Sequence, residues 1–282
     1  MSNNQYRIAV IVGENCRDTT HNMESITCFL ELFGVPYDIY ACVDIPDKLK
    51  KYNNVVTAIA YEDVANTPRV KKMRETCMKF MRKAGWQFLK CNIAMDQIKN
   101  TKRYTHMLKL RTDCVFHCIN VIHRHRPGWD RKDKILVKNN INDLIQIFKQ
   151  TLQDMHNDQS MSAWGDKIAL GKFNIMHDWL RGFVNVDTLS KIYKENPRMG
   201  PDQAAAGKSW RYIKKPVNRH AGVRVANRKL WKILNWFQLT WSGARAKKKS
   251  GVQEVHMRNN PDTNAYKNVI NMCKVVRNYI KK

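Results

Sequence analysis

Apolar runs alternate with amphipathic stretches along much of the chain. Arg7 to Gly13 (RIAVIVG) is a continuous apolar run that ends in glycine, which predicts a strand buried on both faces of a parallel sheet. Two further strands are predicted at Pro36 to Val43 and Val55 to Tyr61, with a helix at Thr20 to Phe33 between the first two strands. Strands separated by helices indicate βαβ units.

The middle of the chain continues this alternation. The helical period of Val70 to Lys99 predicts a long helix that is interrupted near Gly85, and a strand over Thr105 to Leu110 follows it. The later pattern predicts short strands at Lys134 to Lys138 and at Lys167 to Leu170, with a turn at Gly171, and helices at Ile141 to Met155, Ile175 to Arg181, Val186 to Glu195 and Asp202 to Lys208. The expected fold class is α/β, with a mixed central sheet and helices on both faces.

The charge of the chain is strongly positive. Fifty Lys and Arg residues stand against 24 Asp and Glu, a net charge of +26, and from Arg211 to Lys282 the only acidic residues are Glu254 and Asp262. This excess favours a polyanionic partner such as nucleic acid, an anionic membrane or a phosphorylated small molecule; a solvated basic tail is the alternative. Acidic residues thin out near residue 215, which predicts a main domain over residues 1–215 and a basic, Trp-rich extension over residues 216–282, packed on the same domain.

Cysteine usage and the termini bear on location. The eight cysteines include no CxxC pair, and most lie in apolar runs, where a free cysteine acts as a small core hydrophobe. Residues Met1 to Arg7 are polar and show no secretory signal, and no apolar run reaches the roughly 18 residues that a membrane span needs. We therefore expect a reducing, cytoplasmic location.

A tryptophan-rich segment, Asn227 to Trp241, is flanked by basic residues such as Arg224 and Lys247. Aromatic and apolar residues with basic flanks suit a membrane interface, and they equally suit a helix docked on the core. Peripheral membrane contact is therefore an open secondary role.

Two strand ends carry the candidate chemistry. Arg111-Thr112-Asp113 follows a predicted buried strand, and ligands of open α/β sheets bind outside the carboxyl ends of strands. A carboxylate such as Asp113 can hold a divalent cation that bridges two phosphates, although a local turn cap is the alternative. Gly13 ends the first strand and permits close approach of a ligand, and Arg17 can reach a phosphate; a turn without a ligand is the other interpretation.

The predicted helix before Arg111 supplies a third candidate. Trp86, Lys90 and Ala94 fall near one helical face, where the small Ala94 leaves room for a flat group and Lys90 offers a charge. A buried Trp beside a Lys that extends its amine to solvent is the alternative.

These motifs together resemble a family. WQFLKCNIAMDQI (Trp86 to Ile98), followed by YTHMLKLRTD (Tyr104 to Asp113), the opening IAVIVGENCR, and DKIALGK (Asp166 to Lys172) resemble the GT-A-fold glycosyltransferases over roughly residues 7 to 205. The chain is also similar to glycosyltransferases of large algal viruses, the chlorovirus enzymes that build capsid glycans by decorating capsid proteins in the host cytoplasm. The resemblance implies a Rossmann-like half for the nucleotide and a mixed half for the acceptor.

The resemblance also implies a metal, Mn²⁺ or Mg²⁺, held by an Asp-x-Asp motif. Here Arg111 stands where the first Asp would be, so that Asp113 is the remaining carboxylate. His220 can be a second metal ligand or a donor to a phosphate, and a lone surface histidine is the alternative. Arg219 and His220 resemble a late loop that closes over the donor phosphates.

An inverting transferase needs a base within about 3 Å of the acceptor hydroxyl. The carboxylates that can serve are Asp166, Asp178 and Asp202. Asp202 in GPDQ is favoured by the family pattern, with helix capping as its alternative, and Asp166 can instead hold sugar hydroxyls.

Three functions follow from these features. The first is a glycosyltransferase that moves a sugar, with xylose as the suggested one, from a UDP-sugar to an oligosaccharide or glycoprotein acceptor. The second is a basic nucleic-acid-binding protein or nuclease, although the chain lacks the sequence motifs of the common nucleic-acid-binding modules. The third is a non-catalytic protein that binds a membrane surface or a capsid.

Overall fold

The computed structural model describes residues 6–14, 19–52, 54–81, 85–111, 114–118, 138–164, 168–195, 237–241 and 278. The strands in these residues are β1 (Ile8–Glu14), β2 (Tyr37–Val43), β3 (Val55–Ala60), β4 (His106–Leu110), β5 (Cys114–Cys118), β6 (Met161–Trp164), β7 (Ile168–Lys172) and β8 (Phe237–Trp241). The α-helices are α1 (Thr19–Leu32), α2 (Tyr61–Val64), α3 (Pro68–Met81), α4 (Gly85–Met95), α5 (Lys138–Asn157), α6 (Phe173–Gly182) and α7 (Val186–Glu195).

Six strands form one mixed sheet in the order β3-β2-β1-β4-β7-β6. β1 pairs in parallel with both β2 and β4, and β2 pairs in parallel with β3. β7 is antiparallel to β4 and to β6, with Ile168 opposite Leu110. The described part of the chain is therefore an α/β protein with a parallel half and an antiparallel half, which is compatible with a Rossmann-like fold.

The chain divides into two compact units, and neither is a continuous stretch. The first comprises Met1–Cys16, Val35–Thr112 and Gln150–Arg228, and the second comprises Arg17–Gly34, Asp113–Lys149 and Lys229–Lys282. The first unit holds the six-stranded sheet. The expected boundary near residue 215 lies outside the described residues and stays a prediction.

Helix α4 covers one face of the sheet. It packs across β1 and β2, and ten of its eleven residues, all except Trp86, are buried, because it lies between the sheet and the helices α3 and α6. Helix α3 begins at Pro68, where the missing N–H costs nothing, and the Thr67 hydroxyl accepts a hydrogen bond from the Val70 N–H at 3.4 Å. The core on this face is formed by residues of the sheet and of α3, α4, α6 and α7.

The other face of β4 carries a buried histidine. His106 is fully buried, and its Nε2 atom lies 2.9 Å from the carbonyl oxygen of Leu152 in α5. Since that oxygen can only accept, Nε2 carries the proton and donates. Burial lowers the pKa of His106 to about 4, although the Leu152 carbonyl opposes this shift.

A polar network ties the strands together at their amino ends. The Arg7 guanidinium donates to both carboxylate oxygens of Asp38 at 2.8 Å, and the Tyr104 hydroxyl donates to the same carboxylate at 2.7 Å. Burial alone would raise the pKa of Asp38, but these hydrogen bonds and the charges of Arg7 and Arg103 outweigh it and lower the pKa. This network lies at the opposite end of the parallel strands from the predicted ligand edge.

The second unit contains α1, the part of α5 that precedes Gln150, and a two-stranded antiparallel sheet of β5 and β8. Phe33 follows α1 and stacks on Phe148 of α5, with ring centroids 4.0 Å apart. Gly34 closes α1 with a φ of 60°, a left-handed conformation that glycine adopts without strain.

Two expectations about secondary structure are wrong. Gly171 does not form a turn, because β7 continues to Lys172 and Gly171 pairs with both Met107 and Met161. A Cβ atom at Gly171 would lie 2.6 Å from the Met161 Cα atom, so the close approach of β6 explains the glycine. The tryptophan-rich segment is not one docked helix, because Phe237–Trp241 is strand β8.

Most other expectations that fall on described residues are confirmed, including β1 to β4, the interruption between α3 and α4 at Gly85, and helices α1, α5, α6 and α7. The strand expected at Lys134 to Lys138 and the helix expected at Asp202 to Lys208 lie outside the described residues, except that Lys138 begins α5. Cys28, Cys42, Cys77 and Cys91 are buried and form no disulfide among the described residues, as expected of core cysteines. Within the described ranges, no helix is long and apolar enough to cross a membrane.

Candidate functional site

The order of the parallel strands defines a switch point at their carboxyl ends. The chain passes from β1 to β2 and β3 on one side, and then returns through α2, α3 and α4 to β4 on the other side of β1. Val12 of β1 lies opposite Leu110 of β4, so that Gly13 and Arg111 are the next residues along the two strands. In open α/β sheets, the crevice at such a point is where ligands bind.

Gly13 is held against helix α4. A Cβ atom at this position would lie 2.7 Å from both the Sγ atom of Cys91 and the carbonyl carbon of Lys90. Non-bonded heavy atoms do not approach this closely, so the packing of α4 on β1 by itself requires glycine at this position. A role of Gly13 in binding a donor stays a prediction. The close packing of α4 is a second, independent reason for a glycine at this position.

Lys90 reaches from α4 to the carboxyl end of β2. Its ammonium group donates a hydrogen bond to the carboxylate of Asp44, the first residue after β2. The Lys90 side chain is 3% exposed, whereas the Asp44 side chain is 44% exposed. The charged end of Lys90 therefore belongs to the protein interior, and Asp44 is the member of the pair that solvent and ligands can reach.

Two aromatic residues complete this side of the edge. Tyr61 follows β3 and is buried, and the Lys90 ammonium lies 5.4 Å from the centre of its ring. Trp86 of α4 meets the same ring edge-on, with centroids 5.2 Å apart. The Tyr61 hydroxyl is buried without a hydrogen-bond partner among the described residues.

Ala94 lies away from solvent. It is fully buried in the core cluster, one helical turn from Lys90. Its neighbour Asn92 is also fully buried and donates to the carbonyl oxygens of Phe88 and Leu180 at 2.9 and 2.8 Å, which joins α4 to α6. This placement explains Ala94 by core packing and does not support a contact with a donor.

Most of the other predicted site residues lie outside the described residues: Arg17, Asp113, Asp166, Asp202, Arg219 and His220. Arg111 is described and partly exposed, directly after β4. Asp178, a further candidate base, is an exposed residue of α6 whose Oδ1 atom lies 3.5 Å from Nδ1 of His177.

Sequence reasoning missed Asp44 and Tyr61. Asp44 directly follows the predicted strand Pro36 to Val43, and Tyr61 is the last residue of the predicted strand Val55 to Tyr61. Their positions at strand ends were the available signal, since strand ends on one edge of a parallel sheet converge. What the sequence did not show is that Lys90, 46 residues from Asp44, pairs with it.

No metal centre forms among the described residues, where no group of three or more His, Cys, Asp or Glu side chains is arranged to hold an ion. The proposed ligands Asp113 and His220 lie outside that set. In the comparisons with known proteins, no family model and no curated protein matches the chain. Its function must therefore be inferred from the sequence motifs and the geometry of this edge.

Proposed function

We propose that the chain is a glycosyltransferase that takes its sugar from a nucleotide-sugar donor bound at the carboxyl edge of β1, β2 and β4. The observation that carries the proposal is the switch point between β1 and β4. Arg111-Thr112-Asp113 directly follows β4 in the sequence at this point. A crevice at such a point suits a nucleotide, and a carboxylate just beyond it suits a diphosphate-bound cation.

The mixed sheet supports the GT-A assignment. Its parallel strands β3, β2, β1 and β4 agree with the nucleotide-binding half that the resemblance implies, and the antiparallel strands β7 and β6 agree with the mixed half. Connectivity supports a shared edge as well, because β4 ends three residues before Asp113 and β7 begins two residues after Asp166. Leu110 at the end of β4 is paired with Ile168 at the start of β7.

The roles are assigned by chemistry. Arg17 and Arg219 provide positive charge for the leaving diphosphate, which is where charge develops in the transition state. Asp113 and His220 would hold Mn²⁺ or Mg²⁺, which would neutralise that diphosphate. Asp202 is the base that deprotonates the acceptor hydroxyl, and Asp166 holds sugar hydroxyls. The donor is a UDP-sugar, with xylose as the suggested sugar, and the acceptor is an oligosaccharide or glycoprotein.

A thermal-shift panel of nucleotide sugars tests the proposal. The wild-type protein and Asp113→Asn are melted with each donor, in Mn²⁺ and in EDTA. A ligand at 100 times its Kd stabilises a protein by about 2.7 kcal/mol, which raises Tm measurably. We expect a metal-dependent rise with one UDP-sugar that is lost in Asp113→Asn.

The same panel includes DNA and RNA, because the net charge of +26 favours polyanions. A rise of Tm with nucleic acid and none with any nucleotide sugar would replace the transferase with a nucleic-acid-binding function.

A further inference from the structure

The Lys90–Asp44 pair has an unusual distribution of exposure. Lys90 was expected to offer its charge to a ligand, but its side chain is 3% exposed and its ammonium group donates to Asp44. Asp44 is 44% exposed at the carboxyl end of β2. A ligand at this edge therefore contacts the Asp44 carboxylate, which is bound on its interior side by the buried Lys90 ammonium group.

The position of the Lys90 ammonium is fixed from two further directions. Helix α4 is buried between the sheet and its neighbouring helices, so that the backbone of Lys90 cannot shift without disturbing the core. The ring of buried Tyr61 lies 5.4 Å from Nζ, and the face of an aromatic ring attracts a cation. Lys90 thus holds Asp44 in a defined orientation.

The chemistry of Asp44 selects its ligand. An ionised carboxylate only accepts hydrogen bonds, and its two oxygens can accept several. It therefore suits the neutral O–H or N–H groups of a nucleoside, and it repels phosphate. Because β2 neighbours β1 on the side away from β4, Asp44 stands on the opposite side of the switch point from Arg111.

We propose that Lys90 is a positioning residue that orients Asp44, and that Asp44 accepts a hydrogen bond from the nucleoside part of the donor, from a ribose hydroxyl or a base N–H. The inference rests on the proposed nucleotide-sugar function and names the half of the donor that this side of the edge recognises. Lys90 accordingly does not act on the diphosphate.

Binding of UDP, 2′-deoxy-UDP, N3-methyl-UDP and pyrophosphate, measured by calorimetry, tests the inference. Asp44→Asn and Lys90→Met should each weaken UDP binding by about tenfold or more, the lower range for a hydrogen bond to a charged group, and leave pyrophosphate binding unchanged. Lys90→Arg, which keeps a cation, should restore part of the affinity. The analogue that lacks the donor recognised by Asp44 should bind the wild type more weakly and be insensitive to Asp44→Asn.

Asp47→Asn is the matched control, because Asp47 lies three residues from Asp44 and forms an exposed ion pair with Lys50, at 2.7 Å. It should bind UDP as the wild type does. Asp44 is partly exposed, so Asp44→Asn keeps the test decisive even where Lys90→Met unfolds the protein. Unchanged UDP binding by Asp44→Asn, or equal losses of UDP and pyrophosphate binding in Lys90→Met, would overturn the inference alone. A wild type that binds no nucleotide would overturn the proposed function and this inference together.

Discussion

A Cβ atom on Gly13 would lie 2.7 Å from the Sγ atom of Cys91, so β1 and α4 approach each other more closely here than any other residue type allows. The same contact fixes the position of α4 relative to the sheet, and in this position the Lys90 ammonium group reaches the Asp44 carboxylate. Gly13→Ala must therefore push helix and strand apart, and overpacking of a core costs about 1–3 kcal/mol. We expect the free energy of unfolding to fall by about 2 kcal/mol or more, as measured by urea denaturation.

Gly182→Ala is the control for this change. Gly182 ends α6, and among the described residues the nearest atom to a Cβ there would be Thr188 Cγ2, at 3.4 Å, an ordinary van der Waals distance. Alanine reduces the entropy of the unfolded chain, so this variant should be neutral or more stable by up to about 1 kcal/mol. Equal losses in the two variants would show that the Gly13–Cys91 contact is not what requires glycine.

The stability of the protein should depend on His106 in mildly acidic solution. The pKa of its buried ring is lowered to about 4, against 6.5 for an unperturbed histidine. The unfolded state therefore binds a proton first as the pH falls, so this contribution is present above pH 6.5 and is lost between about pH 6.5 and 4. Linkage gives a loss of about 3 kcal/mol over that window, measurable by urea denaturation at successive pH values.

His106→Gln separates this group from the others that titrate in the same range. Glutamine can donate to the Leu152 carbonyl oxygen but does not titrate, so the slope of stability against pH should flatten in this variant. An unchanged slope in His106→Gln would refute the assignment.

Asp38 should stabilise the protein at neutral pH and not in acid. Its pKa is lowered because hydrogen bonds from Arg7 and Tyr104 outweigh the effect of burial. This stability is therefore present above the ordinary pKa of an aspartate and is lost as the pH falls through the lowered value. We expect Asp38→Asn to cost about 2 kcal/mol at pH 7, and the difference from the wild type to shrink as the pH falls below the ordinary pKa of an aspartate and through the lowered value.

The exposed Asp47–Lys50 pair serves as the reference for Asp38. Both side chains are more than two-thirds exposed, so Asp47→Asn should leave the stability nearly unchanged. A pH-independent loss in Asp38→Asn would mean that the shape of the side chain matters and not its charge.

The sequence predicted those elements whose signal is local. The apolar run of β1 and the helical period of α3 and α4 are set by neighbouring residues, and both were predicted within a few positions. The strands that escaped prediction depend on distant partners: β5 pairs with β8, more than one hundred residues away, and β6 is a four-residue strand defined by its pairing with β7. Strand formation depends on such contacts more than on intrinsic preference.

The candidate site shows the same division. Gly13 and Arg111 were identified because the end of a strand is a local feature, although Asp44, at the end of another predicted strand, was missed. The partner of Lys90 was not identified, since its ion pair with Asp44 joins an α-helix to a strand end 46 residues earlier. Gly13 was interpreted through ligand approach because sequence alone does not reveal that Cys91 packs against it.

The proposed base can be distinguished from the proposed donor-binding residues by kinetics. Asp202→Asn removes the group that would take the acceptor proton, and general base catalysis contributes about 10²–10⁴-fold. We expect kcat to fall by at least about 10²-fold, while the rise of Tm caused by the donor and the KM for the donor stay unchanged. Asp187→Asn, at an exposed position of α7, should keep the wild-type kcat. Loss of turnover in Asp178→Asn or Asp166→Asn, with Asp202→Asn active, would move the base to that residue and leave the donor site as proposed.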